Sequence, residues 1–400
     1  VERGIDNGGF LQPIYLFQIL KQEPNIIHRL LPVAFALSLL LPWINLLTDW
    51  FPRQNTENRT PAAFPGLKTP IADVPGRFDT AFSDQFSMRS ALMRVYGTAN
   101  LNLFHKSPIP TMAYLGSDGW MYITRKELAT FDGSMRFRQG ELDSIGVKLL
   151  RRESYLRNRN CRFYLAIAPV KQSIYPEFQP GFIRSLEAPN RSDQLIHYLR
   201  KQTRIQVIDL RESLRIAKGS GQPRMFHKTD NHWNRYGAWL AAVSMAKRLN
   251  RDFPEISMEH LLKITIDSSS LVSGNIAGMM ALSGIAREPD IIAVLGEHHV
   301  QDTTLFPWPV LPFANSWEYQ IRKVNRLKNK PRILFIRDSF GSDVVPYLSE
   351  AFGETVALFD QWQYGMNLKQ VHDFRPDAVI LMVVESNLDH LLSQTPFSEF

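Results

Sequence analysis

Two short segments hold residues whose types suit acyl-transfer chemistry. The first, Lys228-Thr229-Asp230-Asn231-His232-Trp233-Asn234, sets a carboxylate two positions before an imidazole. Side chains two apart on extended backbone point the same way, so Asp230 can fix the tautomer of His232 and orient it as a base. A plainer role suits the same residues: Asp230 or Asn231 caps the following helix while His232 packs beneath Trp233. The second segment runs from Ile333 to Gly341 and contains Arg337-Asp338-Ser339-Phe340-Gly341. It reads as a buried strand ending in a polar turn that presents Ser339, at the strand end where open parallel sheets place ligands. Backbone N–H groups there can receive a developing oxyanion, and an N-cap role for Ser339 or Asp338 is the alternative. Serine, histidine and aspartate together are a standard way to activate a hydroxyl.

The elements that must position these residues follow from the apolar pattern. Short runs without alternation fall at Phe163–Ala168, Ile205–Leu210, Ile333–Ile336, Val356–Phe359 and Ala378–Val384. Helical patterns lie between some of them, at Gly146–Asn158 and Ser192–Thr203, so the fold class is α/β with a mostly parallel sheet covered on both faces. Tyr114–Thr124 predicts two short strands around an Asp118-Gly119 turn, and Phe78–Phe104 predicts one or two helices. A polar insertion near 284–330 is expected to form a lobe beside the sheet. Neither a GxGxxG fingerprint nor a GK[ST] phosphate loop is present, which removes support for the two commonest nucleotide sites.

The 400-residue chain is 44% hydrophobic, long enough for one large core or two smaller ones. Its single cysteine, Cys161, excludes an intrachain disulfide and a thiolate zinc cluster. The net charge of +7 comes with no helix-turn-helix, zinc-finger or RNA-binding motif, so nucleic acid is not an expected partner. Leu30 to Leu47 carries no charge, and 30–50 is expected to be a transmembrane anchor, with 1–29 in the cytoplasm and the rest outside. A buried or interfacial helix is the other reading, because Pro32, Pro42 and Asn45 interrupt the run. Residues 51–110 then form a proline-punctuated linker and helical lead-in, and 111–400 the catalytic domain.

Taken with their flanks, the two clusters resemble the SGNH-hydrolase-like O-acetyltransferases of bacterial exopolysaccharide modification, the alginate O-acetylation proteins. The likeness rests on Glu57-Asn58-Arg59, Asp84-Gln85-Phe86 to Arg89, the GxDGWxY turn from Gly116 to Tyr122, and Ala168-Pro169-Val170-Lys171 with Tyr175-Pro176-Glu177. It continues through Val207 to Leu210, the KTDNHWNxxGA segment from Lys228, Gly274-Asn275-Ile276-Ala277 and RDSFG from Arg337. The membrane-anchored type, without a C-terminal carbohydrate-binding module, is the nearer likeness.

The resemblance implies a circularly reordered SGNH-like domain in the periplasm, tethered to the inner membrane by one helix. Ser339 is then the nucleophile, His232 the base and Asp230 its orienter, with the Ser339 N–H as one oxyanion donor. The implied activity moves acetyl groups from a polytopic membrane acyltransferase onto an exopolysaccharide, alginate in the first instance, alongside other secretion and modification proteins. An acetylesterase and a non-catalytic polysaccharide-binding or assembly protein are the competing readings. Arg337 stands where many relatives have glycine. Lys171, Tyr175 and Arg337 are candidate substrate-binding residues, with loop packing the other reading of the first two. The basic runs Arg151, Arg152, Arg157, Arg159, Arg162 and Arg322, Lys323, Arg326, Lys328, Lys330 are candidate contacts for a uronate polymer, or solvated faces. No cofactor or metal is expected, since Asp230 and His232 offer two ligands only and His227 suits a surface role.

Overall fold

A seven-stranded sheet carries the site. In the computed structural model, which describes residues 24–51, 61–186, 188–309, 318–327 and 330–393, the sheet strands are β1 (Arg162–Ala168), β2 (Gln206–Asp209), β3 (Val300–Asp302), β4 (Gln320–Asn325), β5 (Arg332–Arg337), β6 (Glu354–Phe359) and β7 (Ala378–Val384). Their spatial order is β2-β1-β7-β5-β6-β4-β3. The first five in that order pair in parallel, whereas β4 and β3 run antiparallel at one edge. The segment expected as a lobe near 284–330 therefore supplies two strands to the main sheet.

Strand periodicity explains why the parallel strands read as unbroken apolar runs. Tyr164, Ala166 and Ala168 of β1, with Ala378, Ile380 and Met382 of β7, enter a core on one face of the sheet. Phe163, Leu165 and Ile167, with Val379, Leu381 and Val383, enter a second core on the other. The first face is covered by the helices Leu210–Gly219, Arg235–Asn250 and Val344–Ala351, the second by Gln139–Arg157, Arg191–Gln202 and Leu368–Phe374. Each fully buried Leu, Ile, Val or Phe contributes roughly 1.5–3 kcal/mol. Cys161 is buried, and burial pushes its thiol up to about 12, which leaves it an inert member of the second core.

The hairpin before the sheet pairs Ala113–Leu115 with Met121–Ile123 in antiparallel register. Asp118 and Gly119 turn it with φ of 52° and 76°, the left-handed region open to glycine and to short polar side chains.

The chain divides into two compact units, 1–95 and 96–400. In the first, the apolar run is helical as part of Pro24–Thr48, but no helix among the described residues is long and apolar enough to cross a membrane. The expected transmembrane helix over 30–50 is thus without support among the described residues. Pro32 and Pro42 lie inside the helix, and Asn45 is buried at its distal end. The Asn45 amide donates to the carbonyls of Phe51 and Ser87, and the Ser87 hydroxyl donates to the Pro42 carbonyl. Polar ties to the following chain thus replace a continuous apolar rod at that end. Farther along, Asp84 accepts from the Ala62 N–H and Gln85 donates to the Ala62 carbonyl, which gives those two residues a structural role. The Glu57-Asn58-Arg59 motif and residues 1–23 lie outside the described residues.

Candidate active site

The histidine segment folds as a tight loop between Phe226 and Trp233, which form an isolated antiparallel bridge. Asn234, not Asp230 or Asn231, caps the helix Arg235–Asn250: its side-chain oxygen accepts from the Gly237 N–H at 2.9 Å. Asp230 is thereby free to face the imidazole. Its Oδ1 lies 2.8 Å from His232 Nδ1 and accepts the His232 backbone N–H at 3.0 Å, while Oδ2 accepts the Asn275 N–H at 2.7 Å.

The serine segment resolves the same way. Asp338 is the cap, its Oδ1 accepting from the Phe340 N–H, and its Oδ2 accepts from the Tyr364 hydroxyl and the Val384 N–H. Ser339, left out of the cap, sits just past the C-terminal end of β5 with Oγ 2.9 Å from His232 Nε2. Asp230, His232 and Ser339 therefore form one continuous hydrogen-bonded relay, in which His232 and Ser339 stand 107 residues apart in sequence. A second link keeps the two loops in register. The Trp233 indole donates to the Phe340 carbonyl at 2.9 Å, and the Phe340 ring packs against the His232 and Trp233 rings.

Electrostatics favour a charged relay. Burial opposes ionisation of Asp230, but the His232 hydrogen bond and charge, with the Asn275 and His232 N–H groups, hold its carboxyl well below the usual carboxylate range. Burial also opposes charge on His232, yet the Asp230 hydrogen bond and charge outweigh it and raise the imidazole above its ordinary value. Such an arrangement makes His232 a competent base for the Ser339 hydroxyl and stabilises the imidazolium that results.

The three candidate substrate-binding residues are braces instead. Lys171 is fully buried, and its ammonium donates to the carbonyls of His227, Lys228 and Asp230 at 3.1, 3.0 and 2.6 Å. Desolvation pulls that amine down to about 7, against the opposing charges of Asp230, Glu127 and Glu288. Tyr175 is buried with its ring against Trp120, and its hydroxyl accepts the Met225 N–H. Arg337 is buried beneath the serine turn, donating to the Ser342 hydroxyl and to the Asp338 and Glu318 carbonyls. A Cβ at Gly341 would stand 2.5 Å from Arg337 Cδ, so the glycine after Phe340 is what makes room for the bulky residue before Asp338. In all three cases residue type was legible, but not the face of the backbone from which the side chain leaves.

Further supports escaped sequence reasoning altogether. Glu288 is buried and accepts the N–H groups of Lys228 and Thr229 and the Thr229 hydroxyl. Thr229 Oγ1 in turn accepts the Gly274 N–H. Buried Glu127 accepts the Asn231 amide at 3.0 Å, and desolvation pushes its carboxyl up to about 7. The signal was absent because each lies far along the chain from the loop it holds. The basic runs are largely committed as well: Arg152 is buried, Arg159 stacks on Tyr155, and Arg162, Arg322 and Lys323 pair with Asp252, Glu354 and Asp302. Lys328 lies outside the described residues.

Comparison with known proteins places the fold among characterised ones. Residues 113–295 match the family model described as SGNH hydrolase-like domain, acetyltransferase AlgX. The probable alginate O-acetylase AlgJ of Pseudomonas syringae pv. tomato is 26% identical over 226 residues, 56% of this chain and 54% of that protein, so the chain spans about half the length of that relative. The probable alginate O-acetylase AlgJ of Pseudomonas aeruginosa is 23% identical over 352 residues, 81% of each chain. Among solved structures, a DHHW family protein from Eubacterium siraeum superposes with a TM-score of 0.52 at 13% identity, covering 72% of this chain and 97% of that one, a likeness of fold. The family-model match takes in the hairpin, β1, β2 and the loop of Asp230 and His232, and on it residues 113–295 are similar to the SGNH hydrolase-like domain of acetyltransferase AlgX.

Proposed function

We propose that this protein is a polysaccharide O-acetyltransferase working through an acetyl-serine intermediate. The observation that carries the reading is the Asp230–His232–Ser339 relay, with both hydrogen bonds below 3.0 Å and Ser339 at the strand end. In the first half-reaction His232 Nε2 takes the Ser339 proton as Oγ attacks the donor carbonyl. The tetrahedral oxyanion is received by the Ser339 N–H, and the donor's leaving group departs with the proton from His232. In the second half a sugar hydroxyl gives its proton to His232 and attacks the acetyl carbon, and Ser339 regains its proton.

The triad alone serves water and sugar equally, so the acceptor is argued from the relatives, whose names call them probable alginate O-acetylases. Alginate is the proposed polymer, and a polytopic membrane acyltransferase the proposed source of acetyl groups. The proposed place of work is the periplasmic side of the bacterial inner membrane, alongside the polysaccharide secretion proteins. The outward Leu30, Leu31, Val33, Phe35 and Leu39 of the helix Pro24–Thr48 support attachment there, as an apolar surface for lipid to cover.

The test supplies an activated acetyl ester and unacetylated polymannuronate to the purified protein and follows both products. Acetyl appearing on the polymer, and lost in Ser339→Ala, is the expected result. Release of acetate with no polymer product makes the protein an esterase, and neither product from folded protein makes it a binding protein.

A further inference from the structure

We propose that His260, Glu297 and His299 form a binding site for a divalent transition metal of zinc's chemistry, separate from the triad. The fold brings the three together by strand pairing. Ile264–Asp267 pairs antiparallel with Ile292–Leu295, Ile264 opposite Leu295, and the Gly296 N–H donates to the Lys263 carbonyl, extending the ladder by one step. Residues just before the first strand and just after the second must therefore meet. His260, on the short helix Glu259–Leu262, does so from one side, and Glu297 and His299 from the other.

The meeting has ligand geometry. One carboxylate oxygen, Glu297 Oε2, lies 3.7 Å from His260 Nδ1 and 3.4 Å from His299 Nε2, and the three ligand atoms all fall within 4.8 Å of one another. A tetrahedral zinc ion with bonds of about 2.0–2.1 Å separates its ligand atoms by roughly 3.3–3.4 Å, so small side-chain adjustments close the site. His299 Nε2 is buried and has no hydrogen-bond partner, a cost that an ion removes. The two imidazole rings lie 4.3 Å apart at 76°, both bordering the same space. Behind them the buried Glu350 carboxylate accepts the His299 backbone N–H, fixing the loop that carries two of the ligands. Two imidazoles and one carboxylate suit zinc and its neighbours, whereas calcium and magnesium take oxygen ligands, and a fourth position remains for water. None of the three residues hydrogen-bonds to Asp230, His232 or Ser339, so the ion would pin the ends of the two paired strands rather than join the reaction.

The test titrates the full 400-residue chain, without a histidine tag and stripped of metal, with Zn²⁺ in a calorimeter and repeats the thermal melt with zinc added. One zinc ion per chain is expected, with Tm rising by about 3 °C at zinc a hundredfold above Kd. Binding should weaken at least about tenfold in His260→Ala, Glu297→Gln and His299→Gln. The Glu297 side chain is 68% exposed, so Glu297→Gln keeps the metal-free melt of the wild type and separates lost ligation from lost folding. Co²⁺ in place of zinc should show the intense visible absorption of a tetrahedral site. No zinc binding by the wild-type chain, or equal binding by the wild type and the His260→Ala/His299→Gln double variant, overturns the proposal.

Discussion

The Lys171 ammonium donates to the backbone carbonyl of Asp230 at 2.6 Å, so a fully buried lysine 59 residues away fixes the loop that aims the Asp230 carboxylate at His232. The same ammonium holds the His227 and Lys228 carbonyls, and all three would be left without that donor if it were removed. Lys171→Met is expected to lower stability by about 3 kcal/mol and to reduce kcat about 100-fold, with KM for the acetyl donor little changed. Denaturant unfolding and steady-state kinetics measure the two effects. A rise in KM with unchanged kcat would return Lys171 to the substrate-binding role its sequence suggests.

Asp230→Asn removes the charge that raises the His232 imidazole while preserving shape. The neutral imidazole is the working base, so wild-type kcat/KM should fall on acidification with a midpoint above the ordinary histidine value of about 6.5. In Asp230→Asn that acid limb should move to lower pH, and the plateau should drop by about 10³–10⁴-fold. An unmoved limb would mean that a different group titrates.

Glu127 is held up to about 7 by burial, so its proton is bound more tightly in the folded chain than in the unfolded one. Its contribution to stability is present at low pH and is lost as pH rises from about 4.5 to about 7. Glu127→Gln should abolish that decline, giving a flatter stability curve across the same window. It should also shift the acid limb of His232 downward, because the Glu127 charge is one of those that raise the imidazole. Urea midpoints taken across pH for both proteins would show the divergence.

Gly274 has ordinary backbone angles and is constrained by space instead. A Cβ there would lie 2.5 Å from Asp230 Cβ and 2.6 Å from the Asp230 nitrogen. Gly274→Ala should therefore push the Asp230 loop away, costing about 1–3 kcal/mol and about 100-fold in kcat. Wild-type activity in that variant would show that the loop yields without moving the carboxylate.

The parts of the site that were readable from sequence are those whose chemistry is local. The Asp230-x-His232 spacing needs only two residues of backbone, and Ser339 needs only the apolar strand before it, since β5 lies between β6 and β7 and shows no alternation. Strand β7 was legible from end to end for the same reason. Strand β4, Gln320–Asn325, was not: it stands one strand in from the antiparallel edge, carries Arg322 and Lys323, and reads as polar loop because those side chains find Glu354 and Asp302 on neighbouring strands. Lys171 and Arg337 misled in the opposite direction. A charged residue at a strand end suggests a ligand contact, yet both turn inward onto backbone carbonyls, and only the folded chain shows which carbonyls come within their reach. Glu288 and Glu127 carried no signal, because the N–H and amide groups they accept come from a loop distant in sequence.

The central claim is that Ser339 carries the acetyl group between donor and polymer. Intact-mass measurement of the protein after brief exposure to an activated acetyl ester, with peptide mapping, tests it most directly. One added acetyl group on Ser339, absent in Ser339→Ala and discharged when unacetylated polymannuronate is supplied, is the predicted result. An unmodified Ser339 in folded protein, with acetyl nevertheless reaching the polymer, would contradict it.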